Sequence, residues 1–101
     1  HDGWLAERVC MPAAAMVKLP DSVSSLQAAP LASSALTAWH ALVEAGGIKA
    51  GDLVLALGTG GVSIFALQIA KFCGARVAIT SSSDEKLALA RSLGADITVN
   101  Y

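Results

Sequence analysis

The run Gly58-Thr59-Gly60-Gly61-Val62-Ser63 holds the residue types and spacing in this chain that point most directly to chemistry. It follows a short apolar run, Leu53 to Leu57, and opens an apolar-periodic stretch that reaches Gly74. A glycine at 58 lets the chain turn sharply, and a glycine at 60 lets the backbone come close to a pyrophosphate. A helix starting at about Gly61 then offers that anion its unpaired N–H groups and positive dipole end. The expected chemistry is phosphate binding. Against the dinucleotide fingerprint G-x-G-x-x-G the third glycine is replaced by Ser63, which is still small and whose hydroxyl can bond a preceding carbonyl. A glycine-rich strand-to-helix turn built only for packing gives the same pattern, so the elements around it have to decide.

Those elements agree with the phosphate reading. Leu53 to Leu57 is continuously apolar, as expected of a parallel strand buried on both faces. Val62, Phe65, Ala66, Ile69, Ala70 and Cys73 form a stripe that should face a sheet, and Gly74 caps the helix. Arg76 to Thr80 reads as a second strand. Ser82 and Glu85 have capping-box spacing and open a helix that runs to Leu93, capped by Gly94, and Asp96 to Tyr101 reads as a third strand. The fold class is therefore α/β: a partial Rossmann fold, the first βαβαβ half of a doubly wound parallel sheet. Upstream, Asp21 or Ser22 caps a short helix through Ala29. Pro30 interrupts it, and a second helix runs from about Ala32 to Ala45 until Gly46-Gly47 stops it. Leu36, Trp39, Leu42 and Val43 form the apolar face of that second helix.

The end of the second strand should select the nucleotide. NAD-selective sites place an acid about 20 residues beyond the first glycine, where it holds the ribose 2′-hydroxyl. Here the stretch reads Ile79-Thr80-Ser81-Ser82-Ser83, with Lys86 one turn on; Asp84 and Glu85 fall in the first turn of a helix, where acids complement the dipole. Neutral hydroxyls with a nearby ammonium suit a 2′-phosphate, so NADP is favoured over NAD. A serine-rich cap and a solvated lysine fit the local pattern as well.

The phrases GTGGVS, ITSSSDEKLALARSLGAD, VNY and LTAWHAL resemble the medium-chain dehydrogenase/reductase superfamily, and within it the quinone oxidoreductase and alcohol-dehydrogenase-like branch. The resemblance covers essentially the whole chain, including Ala6 to Pro12 and Val17 to Asp21. It implies that Thr59, Gly60, Gly61 and Val62 bind the cofactor pyrophosphate and that Ser82 and Lys86 contact the adenosine ribose phosphate. It further implies that Tyr101 lies against the same end of the cofactor and that Thr37 lies near the nicotinamide. Residues 1–20 then correspond to the tail of an upstream GroES-like catalytic domain, and 21–101 to the N-terminal half of the NAD(P)-binding domain. Where zinc-dependent members carry a cysteine ligand this chain has Ser33, a poor zinc ligand. Cys10 and Cys73 lack ligand spacing, so no zinc is expected.

The resemblance implies an oxidoreductase moving hydride between the nicotinamide and a quinone, enone, carbonyl or alcohol, with catalytic residues outside this stretch. With 101 residues the chain makes one small domain, which reads as a fragment of such an enzyme, inactive alone. The alternative is a nucleotide-binding or self-associating structural module without catalysis. With 54% hydrophobic and 15% charged residues, so small a chain is expected to carry apolar faces that bury against a partner, and a homo-oligomer is expected. A formal net charge of −1 with scattered basic residues argues against nucleic acid, and no apolar run approaches the roughly 20 residues of a membrane span. Two cysteines without disulfide spacing suit the cytoplasm. No Ser-His-Asp set or Walker lysine is visible, and adjacent Asp84 and Glu85 point about 100° apart on a helix, which is unsuited to joint acid–base work.

Overall fold

The computed structural model describes residues 5–101, so the first four residues of the expected 1–20 segment lie outside the described residues. From Leu5 to Val23 the described chain is irregular apart from one 3₁₀ turn at Ala13–Ala15. A four-residue helix α1 follows at Ser25–Ala28. Its cap is Ser24 and not Asp21 or Ser22. Ser24 Oγ accepts from the Gln27 N–H at 3.3 Å while Gln27 Oε1 accepts from the Ser24 N–H at 3.0 Å. This reciprocal box satisfies two orphan donors at once, which Asp21 cannot match with Ser24 three residues on. Pro20 to Val23 forms a turn instead, closed by the Val23 N–H on the Pro20 carbonyl.

Residues 31–45 form one helical stretch, α-helical at α2 (Leu36–Trp39) and π-helical on either side, at Leu31–Ala35 and His40–Ala45. The wider winding changes the buried face. Ala38 is the buried residue, Leu42 and Val43 are half-buried, and Leu36 and Trp39 are exposed, so only part of the expected apolar face is inside. Gly47 ends the stretch at a φ of +57°, with the Ile48 N–H returning to the Leu42 carbonyl.

The remainder is the expected alternation. Strand β1 (Leu53–Ala56), helix α3 (Gly61–Phe72), strand β2 (Arg76–Ser81), helix α4 (Asp84–Ser92) and strand β3 (Ile97–Asn100) build a three-stranded parallel sheet in the order β1-β2-β3. Leu53 pairs with Arg76 and Ala56 with Ile79, while Ala78 pairs with Ile97 and Ser81 with Asn100. Gly74 and Gly94 cap α3 and α4 as expected, each at positive φ, with Ala75 and Ala95 returning N–H groups to Ala70 and Ala90.

One face of the sheet carries the core. Ala56, Val77 and Ile79 pack with Leu67 and Ala70 of α3 and with Leu87 and Ala90 of α4. Each of the fully buried Leu67, Ile79, Leu87 and Val77 contributes about 1.5–3 kcal/mol by leaving water. The other face is bare. Leu53, Leu55 and Leu57 are 58%, 62% and 75% exposed, so the expectation that this strand is buried on both faces is not met. Both helices lie against the same face, and nothing among the described residues covers the second. The helix stripe also differs from expectation. Leu67, absent from the expected set, is fully buried and Ile64 packs on the core, whereas Val62 is exposed and Phe65, Ala66, Ile69 and Cys73 are half-buried. Because α3 packs both on the sheet and on the 31–45 segment, it is apolar on more than one side, and periodicity cannot tell which side meets the strands.

Asp96 ties the layers together. Its carboxylate accepts from the Val77 N–H at 2.7 Å and from Lys71 Nζ at 2.9 Å, while its own N–H donates to the Val77 carbonyl. One side chain thereby links α3, β2 and the start of β3. The Val77 amide first and the Lys71 ammonium second hold the carboxyl below its ordinary value of 3.8. Its stabilising contribution is therefore complete above that value and lost as pH falls below it. In thermal melts, D96N is expected to lower the Tm by a constant gap at neutral pH and to close that gap as pH drops below about 4. A gap unchanged into strong acid would show that the charge at Asp96 does not stabilise the fold.

Candidate functional site

In a parallel sheet all strands end on one edge, and here that edge gathers Gly58 to Gly61 after β1, Ser82 and Ser83 after β2, and Asn100 and Tyr101 at the end of β3. The structure brings most of the expected residues to this edge. Gly58 makes the turn at a φ of +80°, a region that costs a side-chain-bearing residue about 1–2 kcal/mol. Gly60 is different. Its φ of −78° and ψ of 178° suit any residue, and a Cβ there would meet nothing within 4 Å. The fold does not require glycine at this position. Gly60 is the N-cap of the 12-residue α3, and no side chain caps it, so the first-turn N–H groups are left for another acceptor.

Gly61, in contrast, answers to packing. A Cβ there would lie 2.9 Å from Ser34 Oγ, so the start of α3 approaches the 31–45 segment closely. Ser63 donates its hydroxyl to the Leu57 carbonyl at 3.1 Å, the bond expected where the fingerprint has its third glycine. It ties the first turn of α3 back to the end of the apolar run. Val62 is exposed at the mouth of the turn, and Thr59 is half-buried.

At the end of β2 the cap of α4 is Ser83, whose Oγ accepts from the Lys86 N–H at 3.4 Å. The capping box expected from Ser82 and Glu85 does not form. The third helical residue is then Lys86, which has no acceptor to return to the cap. Ser82 is consequently exposed with its hydroxyl uncommitted, and Lys86 is exposed and pairs with no carboxylate among the described residues. Ser81 is 5% exposed, and its hydroxyl is engaged by Thr59 Oγ1 and the Ser83 N–H. Asp84 and Glu85 occupy the first turn of α4, as expected of dipole-complementing acids. Asp84 is also bonded, accepting from Asn100 Nδ2 at 2.7 Å, a contact between residues 16 apart that sequence spacing did not reveal.

The two remaining expected residues are Tyr101 and Thr37. Tyr101 is 79% exposed, held to the sheet by its N–H on the Ser81 carbonyl. Thr37 is exposed on α2, and its hydroxyl donates to the Ser33 carbonyl one turn back at 2.8 Å.

Residues 61–101 match the family described as "Zinc-binding dehydrogenase". Over 103 aligned residues the chain is 48% identical to a zinc-type alcohol dehydrogenase-like protein of Schizosaccharomyces pombe, covering 100% of this chain and 30% of that protein. It superposes on the quinone oxidoreductase of Thermus thermophilus, a structure also determined in complex with NADPH, with a TM-score of 0.89 and 40% identity, over 98% of this chain and 34% of the other. An NAD-dependent alcohol dehydrogenase gives a TM-score of 0.84 and 44% identity, covering 90% of this chain and 27% of that one. The chain thus spans about 30% of the length of the Schizosaccharomyces pombe relative and of an alcohol dehydrogenase of Geobacillus stearothermophilus that it also matches. For the metal in the family description, the donor chemistry here is a poor match. Ser33 offers a neutral hydroxyl, Cys10 is exposed and isolated, and no three His, Cys, Asp or Glu side chains gather among the described residues.

The two glycines should separate under substitution. Gly58→Ala is expected to destabilise the protein by about 1–2 kcal/mol in chemical denaturation. Gly60→Ser should leave stability unchanged or raise it by a few tenths of a kcal/mol, because serine adds a cap in open space. Equal destabilisation by both would mean that the turn needs glycine at 60 for folding.

Proposed function

We propose, for a chain that belongs to the medium-chain dehydrogenase/reductase superfamily, that the turn from Gly58 to Ser63 cradles the pyrophosphate of a nicotinamide dinucleotide. In the protein of which this stretch is the cofactor-binding portion, hydride then passes between that cofactor and a quinone, enone, carbonyl or alcohol. The observation that carries the reading is Gly60. A residue that the backbone does not need as glycine, standing at an uncapped helix start with open space where a Cβ would be, is explained by close approach of a ligand. The bound nicotinamide would supply the hydride chemistry, and the protein its binding and orientation.

The chain's own residues divide that work. Gly58 aims the turn, Gly60 leaves room, and the N–H groups of Gly61, Val62 and Ser63 face the anion with the α3 dipole behind them. NADP is favoured over NAD. No carboxylate lies between Ile79 and Ser83, Asp84 accepts from Asn100, and Ser82 and Lys86, beside the end of β2, have no side-chain partner among the described residues. A 2′-phosphate would meet a hydroxyl and an ammonium there, with the acids Asp84 and Glu85 set beyond the strand end in the first turn of α4. Tyr101, exposed at the neighbouring strand end, would lie against the adenosine. Residues up to 20 are assigned to the tail of an upstream catalytic domain and 21–101 to the nucleotide-binding half, so the chain alone is expected to bind cofactor without turning over substrate.

Calorimetric titration with NADPH and NADH tests this. NADPH is expected to bind more tightly, K86E to remove that preference by weakening NADPH roughly tenfold or more, and Gly60→Ser to abolish binding of both while the protein remains folded. A folded chain that binds neither nucleotide, or that prefers NADH, would overturn the cradle or the NADP assignment respectively.

A further inference from the structure

Two hydrogen bonds join the glycine turn to the end of β2, and two more continue from there into the following loop and the cap of α4. The Gly58 N–H donates to Thr80 Oγ1 at 3.0 Å, and Thr59 Oγ1 meets Ser81 Oγ at 3.1 Å. Ser81 Oγ accepts from the Ser83 N–H at 3.2 Å, and Ser83 Oγ in turn accepts from the Lys86 N–H. The path runs without a break from the residues that would face a pyrophosphate to the residue that would face a 2′-phosphate.

Sheet burial alone does not account for Ser81. It follows Val77 and Ile79 on the packed face of β2, where an aliphatic side chain would gain burial energy and a hydroxyl loses hydration unless bonded. Its partners are one residue of the turn and one of the loop, neither of which belongs to the core. Thr80, on the opposite face, supplies the acceptor for an amide that the left-handed geometry of Gly58 removes from the strand ladder.

We infer that Thr80 and Ser81 are positioning residues that lock the phosphate turn and the 2′-phosphate loop into a single preorganised unit, and so set nucleotide preference without touching the nucleotide. The inference rests on the function proposed above. Without the clamp, turn and loop must be ordered on binding, and a ligand that spans both loses more affinity than one that engages the turn alone.

The test is calorimetry on the intact chain with NADPH and NADH, comparing wild type with Ser81→Ala, Ser81→Thr and Thr80→Val and confirming folding by thermal melts. Ser81→Ala and Thr80→Val are expected to weaken NADPH about fivefold to tenfold and NADH less, lowering the ratio of the two affinities, with Ser81→Thr restoring it. A merely structural role would lower the Tm and leave the ratio in the folded protein unchanged, and that result overturns the inference while wild-type binding upholds the proposed function. Wild-type protein that binds neither nucleotide overturns the proposed function and the positioning role with it.

Discussion

Parallel pairing governs this molecule. Because β1, β2 and β3 run the same way, the connections from β1 to β2 and from β2 to β3 must each return the chain to the starting edge, here through a helix, and every strand must end on the opposite edge. The ladder stops there, and the backbone groups it leaves need partners. The structure provides them with hydroxyls: Thr80 for the amide of Gly58, Ser81 for that of Ser83, Ser83 for that of Lys86. The amides at the start of α3 have no such partner, and this contrast sets the phosphate turn apart from an ordinary loop.

The consecutive strand order has a second consequence. Both returning helices lie on the same face, so a single layer of small and branched side chains, Ala56, Val77, Ile79, Leu67, Ala70, Leu87 and Ala90, holds the sheet. Alanine at the helix contacts lets α3 and α4 come close enough to share that layer. The cost is the opposite face, where Leu53, Leu55 and Leu57 are exposed to water alongside Val99. An apolar patch of this kind on a small domain is the signature of a surface built to be covered. The high apolar fraction of the sequence therefore resides on the surface as much as in the core.

How much of this was legible in the residues depended on whether the signal was local. Glycine at positive φ is a backbone requirement, so Gly58, Gly74 and Gly94 marked their turns, and the strands and helices between them fell close to where the pattern put them. Caps were less readable, because neighbouring serines compete. Ser24 won over Asp21 and Ser22 through its reciprocal bond to Gln27, and Ser83 won over Ser82 once Ser81 Oγ had taken the Ser83 amide. The face of α3 could not be read at all from periodicity, since a helix between a sheet and another helical segment is apolar on two sides. At the candidate site the glycines and Lys86 were visible as types and spacings. Thr80 and Asn100 were not, because their partners lie 22 and 16 residues away and only strand register brings them together.

Two glycines two residues apart show how fold and function divide one motif. At Gly58 the backbone lies in a region that side chains resist, so the fold alone is sufficient reason for glycine. At Gly60 the backbone is ordinary and the space beside it open, so stability would tolerate a side chain and would gain from one that capped α3. A position where the stabilising residue is the one not used is where a requirement other than folding has to be sought. The uncapped amides next to it supply that requirement, since a serine at 60 would fill with its own oxygen the place that a phosphate oxygen needs. The same logic extends to Ser81, where the aliphatic residue that the core would favour is absent and a hydroxyl bridges the two segments that a dinucleotide phosphate would join. In both places the departure from maximal stability lies on the strand-end edge of the sheet, where the proposed function puts an anion.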